Sequence, residues 1–259
     1  MRAHERRRNY PPSAAVRDFA ALALPPMNNF GYLYWVVEPH YAPAHDYVHH
    51  TSVDTLHEVI VVDDCSTDAT SSIAQQHTAR VFGVEHRHIA ATRNAGAREA
   101  RGDILFFVDA DTLVSAHIIQ SALRSIREGA VGGGCVPRFE GWLPLWWRVA
   151  YPFFVVGARL LRQSGGSCLF SARSAFEATG GFSEVHFAAE DAVFVSALKR
   201  HGRFVVLADP VVTSGRNLRA HSFWSIARLL MRLALRGPDG FRDRRGLDFW
   251  YRPFRNKTQ

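Results

Sequence analysis

Two short apolar runs, each followed by acidic residues, constrain the fold of this chain more than any other feature. Residues 59–62 lead into Asp63 and Asp64, and residues 104–108 lead into Asp109 and, after one alanine, Asp111. Continuous β-branched and aromatic runs are typical of buried parallel strands, and open α/β sheets bind ligands at the carboxyl ends of such strands. The two acidic clusters therefore predict one shared crevice.

Strands and helices alternate from residue 58 onwards. The predicted strands lie at 59–62, 81–82, 104–108, 135–138, 167–171 and 204–207, and the predicted helices at 69–78, 93–100, 115–128, 173–179, 190–202 and 223–236. Such alternation is produced by right-handed βαβ units. We therefore predict an α/β fold, a single domain with a mostly parallel central sheet flanked by helices, Rossmann-like in its layers.

Three parts of the chain differ in pattern. Residues 1–56 are an atypical N-terminal arm, rich in proline and histidine, with one plausible strand at 32–37 that would be a degenerate first strand. Residues 57–215 hold the alternating pattern and the acidic clusters, and we expect them to form the binding and catalytic domain. Residues 216–259 are predicted to form a basic amphipathic helix and tail.

Charge and cysteine content limit the partners. The 259-residue chain has a net charge of +7 and three widely spaced cysteines, which indicate neither a disulfide framework nor a zinc site. Basic residues concentrate at the two ends, whereas the central strand tips are acidic. This distribution favours a phosphate or membrane-surface partner, and we expect no nucleic-acid partner. The chain lacks an apolar stretch long enough for a membrane span or signal peptide, so a cytoplasmic location is the default.

The carboxylates suggest metal chemistry. Asp109 and Asp111 share one short turn, and hard oxygen ligands of this kind suit Mn²⁺ or Mg²⁺ bridging to diphosphate oxygens. A solvated turn or helix cap is the alternative for such a pair. Glu190 and Asp191 likewise fit either catalysis or a first helical turn in which acids complement the helix dipole.

Four segments of the chain resemble the family 2 glycosyltransferases, which have the GT-A fold. The matching segments are HEVIVVDDCSTDAT at 57–70, ATRNAGAREARGDILFFVDADT at 91–112, GGSCLFSARSAFEATGGFSE at 165–184 and EDAVF at 190–194. Their order and spacing together are more specific than any one of them. The resemblance covers roughly residues 57–215 and implies an inverting transferase that moves a sugar from a nucleotide-diphosphate sugar to an acceptor hydroxyl.

The resemblance also implies roles for the nucleotide site. Asp63 and Asp64 would hold the base and ribose of the donor, with Arg93 and Asn94 beside the nucleotide. Arg216 follows a predicted strand, where its guanidinium could reach the diphosphate, a solvated loop arginine being the equal alternative.

The catalytic assignments follow from the same resemblance. Asp109 would hold the ribose and, together with Asp111, the metal-bound diphosphate. Asp191, in the pair with Glu190, matches the general base of the family's inverting enzymes. A base within reach of the acceptor hydroxyl and a metal at the leaving group are what this reaction requires.

The chain departs from the family at its beginning. Members usually start with a strand and a proline-containing turn that cups the nucleobase, and no such segment is found here. Two rival functions follow: a nucleotide-binding or scaffold protein with impaired catalysis, and a nucleotidyltransferase. The second is disfavoured because no lysine and glycine-rich activating loop lies near the first strand.

Residues 142–161 are aromatic and apolar, with interspersed arginines. A helix here would fit a lipid headgroup layer, but we favour a buried, aromatic-rich helix pair. With the basic tail, this region suggests a glycan or lipid-linked acceptor and a peripheral contact with the inner face of the membrane. The three glycines at 132–134 lack the residues of a phosphate loop, so close backbone approach is the better explanation.

Overall fold

A seven-stranded sheet forms the centre of the protein in the computed structural model, which describes residues 31–37, 57–67, 69–77, 79–236, 240–244 and 247. Its strands lie in the order β3-β2-β1-β4-β8-β6-β9. Their bounds are β1 Gly31–Val37, β2 His57–Asp64, β3 Arg80–Val84, β4 Ile104–Asp109, β6 Ala130–Gly134, β8 Cys168–Ala172 and β9 Arg203–Val206. A second, three-stranded sheet has the order β5-β10-β7, with β5 Thr112–Leu113, β7 Pro137–Glu140 and β10 Val211–Ser214.

Five of the seven central strands run in one direction, which confirms the predicted mostly parallel sheet. Strands β2 and β3 pair in parallel, as do β6 and β9. Strands β1 and β8 run against the other five, since each is antiparallel to both of its neighbours. The carboxyl ends of β2 and β4 therefore meet at the same edge, as the acidic clusters predict.

Strand β1 fills the position between β2 and β4. Its register pairs Gly31 with Asp63 and Tyr32 with Asp109, so the start of this strand lies beside the acidic strand ends. The strand predicted at 32–37 is therefore present in the structure. The rest of the predicted N-terminal arm, residues 1–30 and 38–56, lies outside the described residues, as does most of the tail after residue 236.

The central sheet is buried on both faces because helices cover each of them. The helices are α1 Thr70–Gln76, α2 Ile89–Glu99, α3 Ala116–Arg127, α4 Leu145–Leu160, α5 Arg173–Thr179, α6 Glu190–His201, α7 Arg216–Ala220 and α8 Phe223–Arg236. Strand β4 shows the layers: Leu105 and Phe107 pack with α2, α5, α6 and α8, whereas Phe106 packs with α1 and α3. Alternate side chains of a strand point to opposite faces, so both faces require apolar residues.

The interpretation of residues 142–161 as a buried helix pair is wrong. The segment forms one helix, α4, in which no residue is fully buried. Its inner side contacts the small sheet, where the Trp147 and Phe139 rings lie 5.4 Å apart. The apolar composition of the segment did not reveal that one side of this helix remains exposed. Among the described residues, no helix has the length and apolarity needed to cross a bilayer.

The three glycines at 132–134 form part of β6 instead of opening a strand at 135–138. A Cβ atom at Gly132 would lie 2.6 Å from the Phe170 carbonyl oxygen, and one at Gly133 would lie 2.5 Å from the Val205 carbonyl oxygen. Real Cβ atoms do not approach backbone this closely. Glycine is needed here because the backbone of β6 lies very close to its neighbours β8 and β9. The sequence suggested such a close backbone approach.

We expect Gly133→Ala to destabilise the protein by about 3 kcal/mol, since overpacking a core costs roughly 1–3 kcal/mol or more and the clash here is with backbone. Urea unfolding followed by circular dichroism measures the change. Gly157→Ala is the matched control, because a Cβ there meets nothing within 4 Å in the middle of α4. That control should be neutral or stabilising by up to about 1 kcal/mol. Equal stability of the two variants would contradict the packing argument.

Candidate active site

The acidic strand ends form the floor of the candidate site. Asp64 is buried and accepts three hydrogen bonds, from the Arg87 and His88 backbone N–H groups at 2.8 and 3.2 Å and from Thr92 Oγ1 at 2.8 Å. Its carboxylate therefore ties the end of β2 to the beginning of α2. Because buried polar groups require partners, Asp64 acts mainly on the protein itself.

Asp63 is half-buried and shapes the turn that follows β2. It accepts a hydrogen bond from the Ser66 backbone N–H at 2.9 Å and another from the Ser71 hydroxyl. These contacts order the segment between β2 and α1. Asp63 is thus the more accessible member of the Asp63–Asp64 pair.

Arg93, on α2, connects the two halves of the site. Its guanidinium donates to Asp109 Oδ1 at 2.9 Å, to Glu190 Oε1 at 3.0 Å and to the Gly166 carbonyl oxygen at 3.1 Å. The side chain is only 4% exposed, and its guanidinium carbon lies 5.2 Å from the centre of the Phe182 ring. Buried charges need such partners, since an unpaired one costs several kcal/mol.

Asn94, the neighbour of Arg93, is also buried. Its amide nitrogen donates to the Phe182 carbonyl oxygen and to Glu184 Oε1, both at 2.8 Å, and its amide oxygen accepts from the Phe182 N–H at 2.9 Å. Residues 93 and 94, predicted beside the nucleotide, therefore both lie in the interior and hold other parts of the site in place.

The acidic pair at the start of α6 lies on the other side of Arg93. Glu190 is buried, whereas Asp191 is half-buried and accepts a hydrogen bond from the Ala192 N–H at 2.7 Å. The residue before the pair, Ala189, has a φ of 59°, the left-handed conformation that non-glycine residues rarely adopt. A strained backbone at this point sets the direction in which the two carboxyl groups enter the site.

Burial raises the carboxyl pKa values around Arg93. It raises the pKa of Asp109 to about 6 against the opposing effect of Arg93, while Asp111 and Asp191 raise it further. Burial likewise raises the pKa of Glu190 to about 7, again opposed by Arg93 and supported by Asp191. Desolvation disfavours the charged form of an acid, and like charges nearby act in the same direction. Asp191 therefore lies close enough to act on both acids.

Asp111 is held by the second sheet. It accepts a hydrogen bond from Thr213 Oγ1 at 3.3 Å and lies 3.7 Å from an Arg216 nitrogen. Thr112 pairs with Thr213 across strands β5 and β10, so this small sheet brings together residues about a hundred positions apart. Burial raises the pKa of Asp111, with Arg216 as the main opposing influence.

The donor set fits a divalent cation that is shared with a phosphorylated ligand. Within the described residues, no three or more His, Cys, Asp or Glu side chains converge as a ready-made metal site. Asp109 and Asp111 offer two partly exposed carboxylates, and Mg²⁺ typically uses one or two carboxylates together with substrate phosphates. The ion pairs agree with this fit: within the part of the chain that the structure describes, Asp109 and Glu190 pair with Arg93, and Asp111 pairs with Arg216.

Sequence reasoning missed the residues that support these acids. Thr92, Thr213 and Glu184 each bond to a predicted site residue. A Cβ at Gly166 would lie 2.6 Å from an Arg93 nitrogen, so a side chain there would displace the guanidinium from its ion pairs. The adjacent glycines at 165 and 166 immediately before a strand were the available signal, whereas single threonines in strands gave none.

The fold and the grouping of acids define a GT-A domain. Residues 52–178 match the family model described as Glycosyl transferase family 2. With the curated relatives described next, this match over just under half of the chain agrees with the motif resemblance to the family 2 glycosyltransferases.

Two curated proteins of Bacillus subtilis (strain 168) are similar in sequence. The glycosyltransferase TuaG, named for teichuronic acid biosynthesis, is 36% identical over 128 residues, which cover 45% of this chain and 49% of TuaG. The glycosyltransferase EpsH is 32% identical over 73 residues, which cover 26% of this chain and 21% of EpsH. The chain thus spans about half the length of the first relative and about a fifth of the second.

Among solved structures, the mannosyltransferase PcManGT from Pyrobaculum calidifontis, in complex with GDP-Man and Mn²⁺, is similar with a TM-score of 0.52. The identity is 24%, and the match covers 71% of this chain and 57% of PcManGT. At this identity the likeness shows the shared fold alone.

Glu190→Gln should reduce the loss of stability that occurs as the pH rises. Burial raises the pKa of Glu190 from its ordinary value of 4.5 to about 7 in the folded protein, so the folded state holds this proton more tightly than the unfolded chain. Its contribution is complete below about pH 4.5 and is lost as the pH rises to about 7. Urea midpoints measured from about pH 5 to about pH 8 should therefore fall less steeply in the variant. Glu128→Gln, at an exposed carboxylate, is the matched control. Identical slopes for Glu190→Gln and the wild type would refute the assignment.

Proposed function

We propose that the protein is an inverting, metal-dependent glycosyltransferase that moves a sugar from a nucleotide-diphosphate sugar to an acceptor hydroxyl. The grouping of Asp109, Glu190 and Asp191 around one buried arginine, with Asp111 beside them, is the observation that carries this proposal. In this proposal, Asp109 and Asp111 bind the charged leaving group, and Asp191 on α6 provides a partly exposed carboxylate beside them.

Asp191 is the proposed general base. Its carboxylate takes the proton of the acceptor hydroxyl while that oxygen attacks the anomeric carbon of the donor sugar. The new glycosidic bond forms as the bond from the anomeric carbon to the diphosphate oxygen breaks, and its electron pair leaves with the nucleotide diphosphate. Glu190, buried against Arg93, holds the start of α6 in position for this step.

The donor is proposed to bind along the strand ends. Asp63 and Asp109, both partly accessible, are suited to accept hydrogen bonds from the base or the ribose hydroxyls. Asp64, Arg93 and Asn94 act as positioning residues, because their polar groups already bond to the protein.

Mn²⁺ or Mg²⁺ is the proposed cofactor, held by Asp111 and Asp109. When bound, the cation neutralises the charge of the diphosphate leaving group. The excess of carboxylates over guanidinium groups supports this role, since an anionic diphosphate would otherwise enter a site of the same charge. Arg216 is proposed to share the phosphate charge, and its contact with Asp111 supports this role.

The acceptor is proposed to be a glycan or lipid-linked saccharide of the cell envelope. TuaG is named for the biosynthesis of an envelope polymer, and it shares 36% identity with part of this chain. We propose that the protein acts in the cytoplasm as a peripheral protein at the inner face of the membrane.

A second candidate function is a nucleotide-binding scaffold with impaired catalysis. The antiparallel direction of β1 favours it, because Gly31 and Tyr32 lie beside Asp63 and Asp109, where the donor has to enter. Binding without transfer would be the signature of this alternative.

Asp191→Asn should lower kcat by about 10²–10⁴-fold while donor binding changes little, because a general base contributes in this range. Sugar transfer from radiolabelled donors to envelope glycans measures kcat, and nucleotide binding is measured separately by calorimetry. Asp103→Asn is the matched control, since it lies on the loop before β4, at the opposite end of that strand from Asp109. Unchanged turnover in Asp191→Asn would exclude Asp191 as the base, and binding without transfer in the wild type would favour the scaffold.

One of the four diphosphates UDP, GDP, dTDP and CDP should raise the unfolding temperature by about 5–10 °C when Mn²⁺ is present. A ligand at about a hundred times its Kd stabilises by roughly 2.7 kcal/mol, which corresponds to a shift of this size in a domain of about 200 residues. Asp111→Asn should abolish the Mn²⁺-dependent part, and Asp103→Asn should keep it. The absence of a shift with all four would count against a nucleotide donor.

A further inference from the structure

Helix α4 exposes a continuous apolar row. The side chains in the row follow one another at intervals of three or four residues and therefore share one face of the helix. They are Leu145, Val149, Phe153, Val156 and Leu160, each more than half exposed. Trp142 and Leu161 extend the row at its two ends and are more than 70% exposed.

Helix α8 carries a similar row. Trp224, Arg228, Met231 and Leu235 follow one another at intervals of four, three and four residues, and all four are exposed. The opposite side of α8 packs on the core through Leu229 and Leu233. The outer row therefore faces away from the core, although its helix is anchored there.

The ionised side chains of α4, α8 and their flanking residues are all positively charged. Residues 142–162 and 222–236 contain six arginines and no aspartate or glutamate. The six are exposed: Arg148, Arg159, Arg162, Arg228, Arg232 and Arg236. Arginines at the border of an apolar face can extend their head groups to lipid phosphates while their stems remain in apolar surroundings.

The two helices meet, and they meet near the candidate active site. The Trp146 and Phe223 rings lie 5.8 Å apart, which connects the beginnings of α4 and α8. Arg219, in α7, donates hydrogen bonds to the carbonyl oxygens of Glu140 and Trp142, just before α4. Arg216, which contacts Asp111, belongs to the same short helix.

We propose that the exposed rows of α4 and α8, called here the α4–α8 surface, dock the protein on an anionic lipid bilayer. A bilayer fits better than a protein partner because the surface combines large apolar side chains, aromatic residues at its ends and positive charge alone. The inference deepens the membrane location in the proposed function by naming the surface and the lipid class. It rests on the proposed function only for the membrane location. The two can fail separately, since the protein could transfer sugar without binding vesicles, or bind vesicles without transferring sugar.

The test is sedimentation of the full chain with vesicles of phosphatidylcholine, with and without phosphatidylglycerol, in the absence of any nucleotide sugar. We expect binding to the anionic vesicles to be at least about tenfold tighter and to weaken with salt. Phe153→Ser should reduce this binding on the order of tenfold, as should the double variant Arg228→Gln, Arg232→Gln.

Two matched controls separate this surface from general surface effects. Phe82→Ser removes an exposed phenylalanine from the edge strand β3, and Arg124→Gln, Arg127→Gln removes two exposed arginines from α3. Both controls should bind vesicles like the wild type. No binding to anionic vesicles, or equal losses in the control variants, would overturn the proposal. Self-association in solution that is abolished by Phe153→Ser would overturn it too, by showing that a second copy covers the surface.

Discussion

The ion pairs of Arg93 are the interaction on which the rest of the site depends. One buried guanidinium joins the end of β4, through Asp109, to the start of α6, through Glu190, and also bonds to the loop before β8. A cation in this position lets several acids gather at one point, because their mutual repulsion is offset by a charge that water does not screen. Burial is the main cause that raises the pKa values of Asp109 and Glu190, and Arg93 opposes it.

The sheet topology explains why the acids lie near one another. The five co-directional strands bring the ends of β2 and β4 to the same edge, and the small second sheet adds Asp111 and Arg216. The site thus combines contributions from two sheets and three helices, α2, α6 and α7. Helix α4 packs on the same small sheet, so the α4–α8 surface lies near Asp111 and Arg216. A transferase acting on a membrane-bound acceptor would need this proximity.

The individual elements show how far prediction from sequence reached. The positions of β2 and β4 and the acidic residues at their ends were predictable, because a buried strand needs an uninterrupted apolar run and a solvated strand end tolerates charge. The strand predicted at 135–138 was misplaced, and β5 and β10 were missed, because these strands lack such a run. Residues 93 and 94 were assigned to the site but not to its interior, since a sequence does not tell whether a polar side chain meets a ligand or a protein group. The burial of α4 was predicted wrongly for a related reason. An apolar helix is buried only if another element packs over it, and composition does not reveal whether such an element is present.

The sequence by itself determined the fold class, the family and the acids at the strand ends, because local patterning and motif order depend on residues close together along the chain. Only the tertiary structure decided the direction of β1, the bridging position of Arg93 and the exposure of α4 and α8. These features depend on contacts between segments far apart in sequence, where small differences in packing select one arrangement among several. Arg93 and Glu190 are 97 positions apart, and no local pattern connects them.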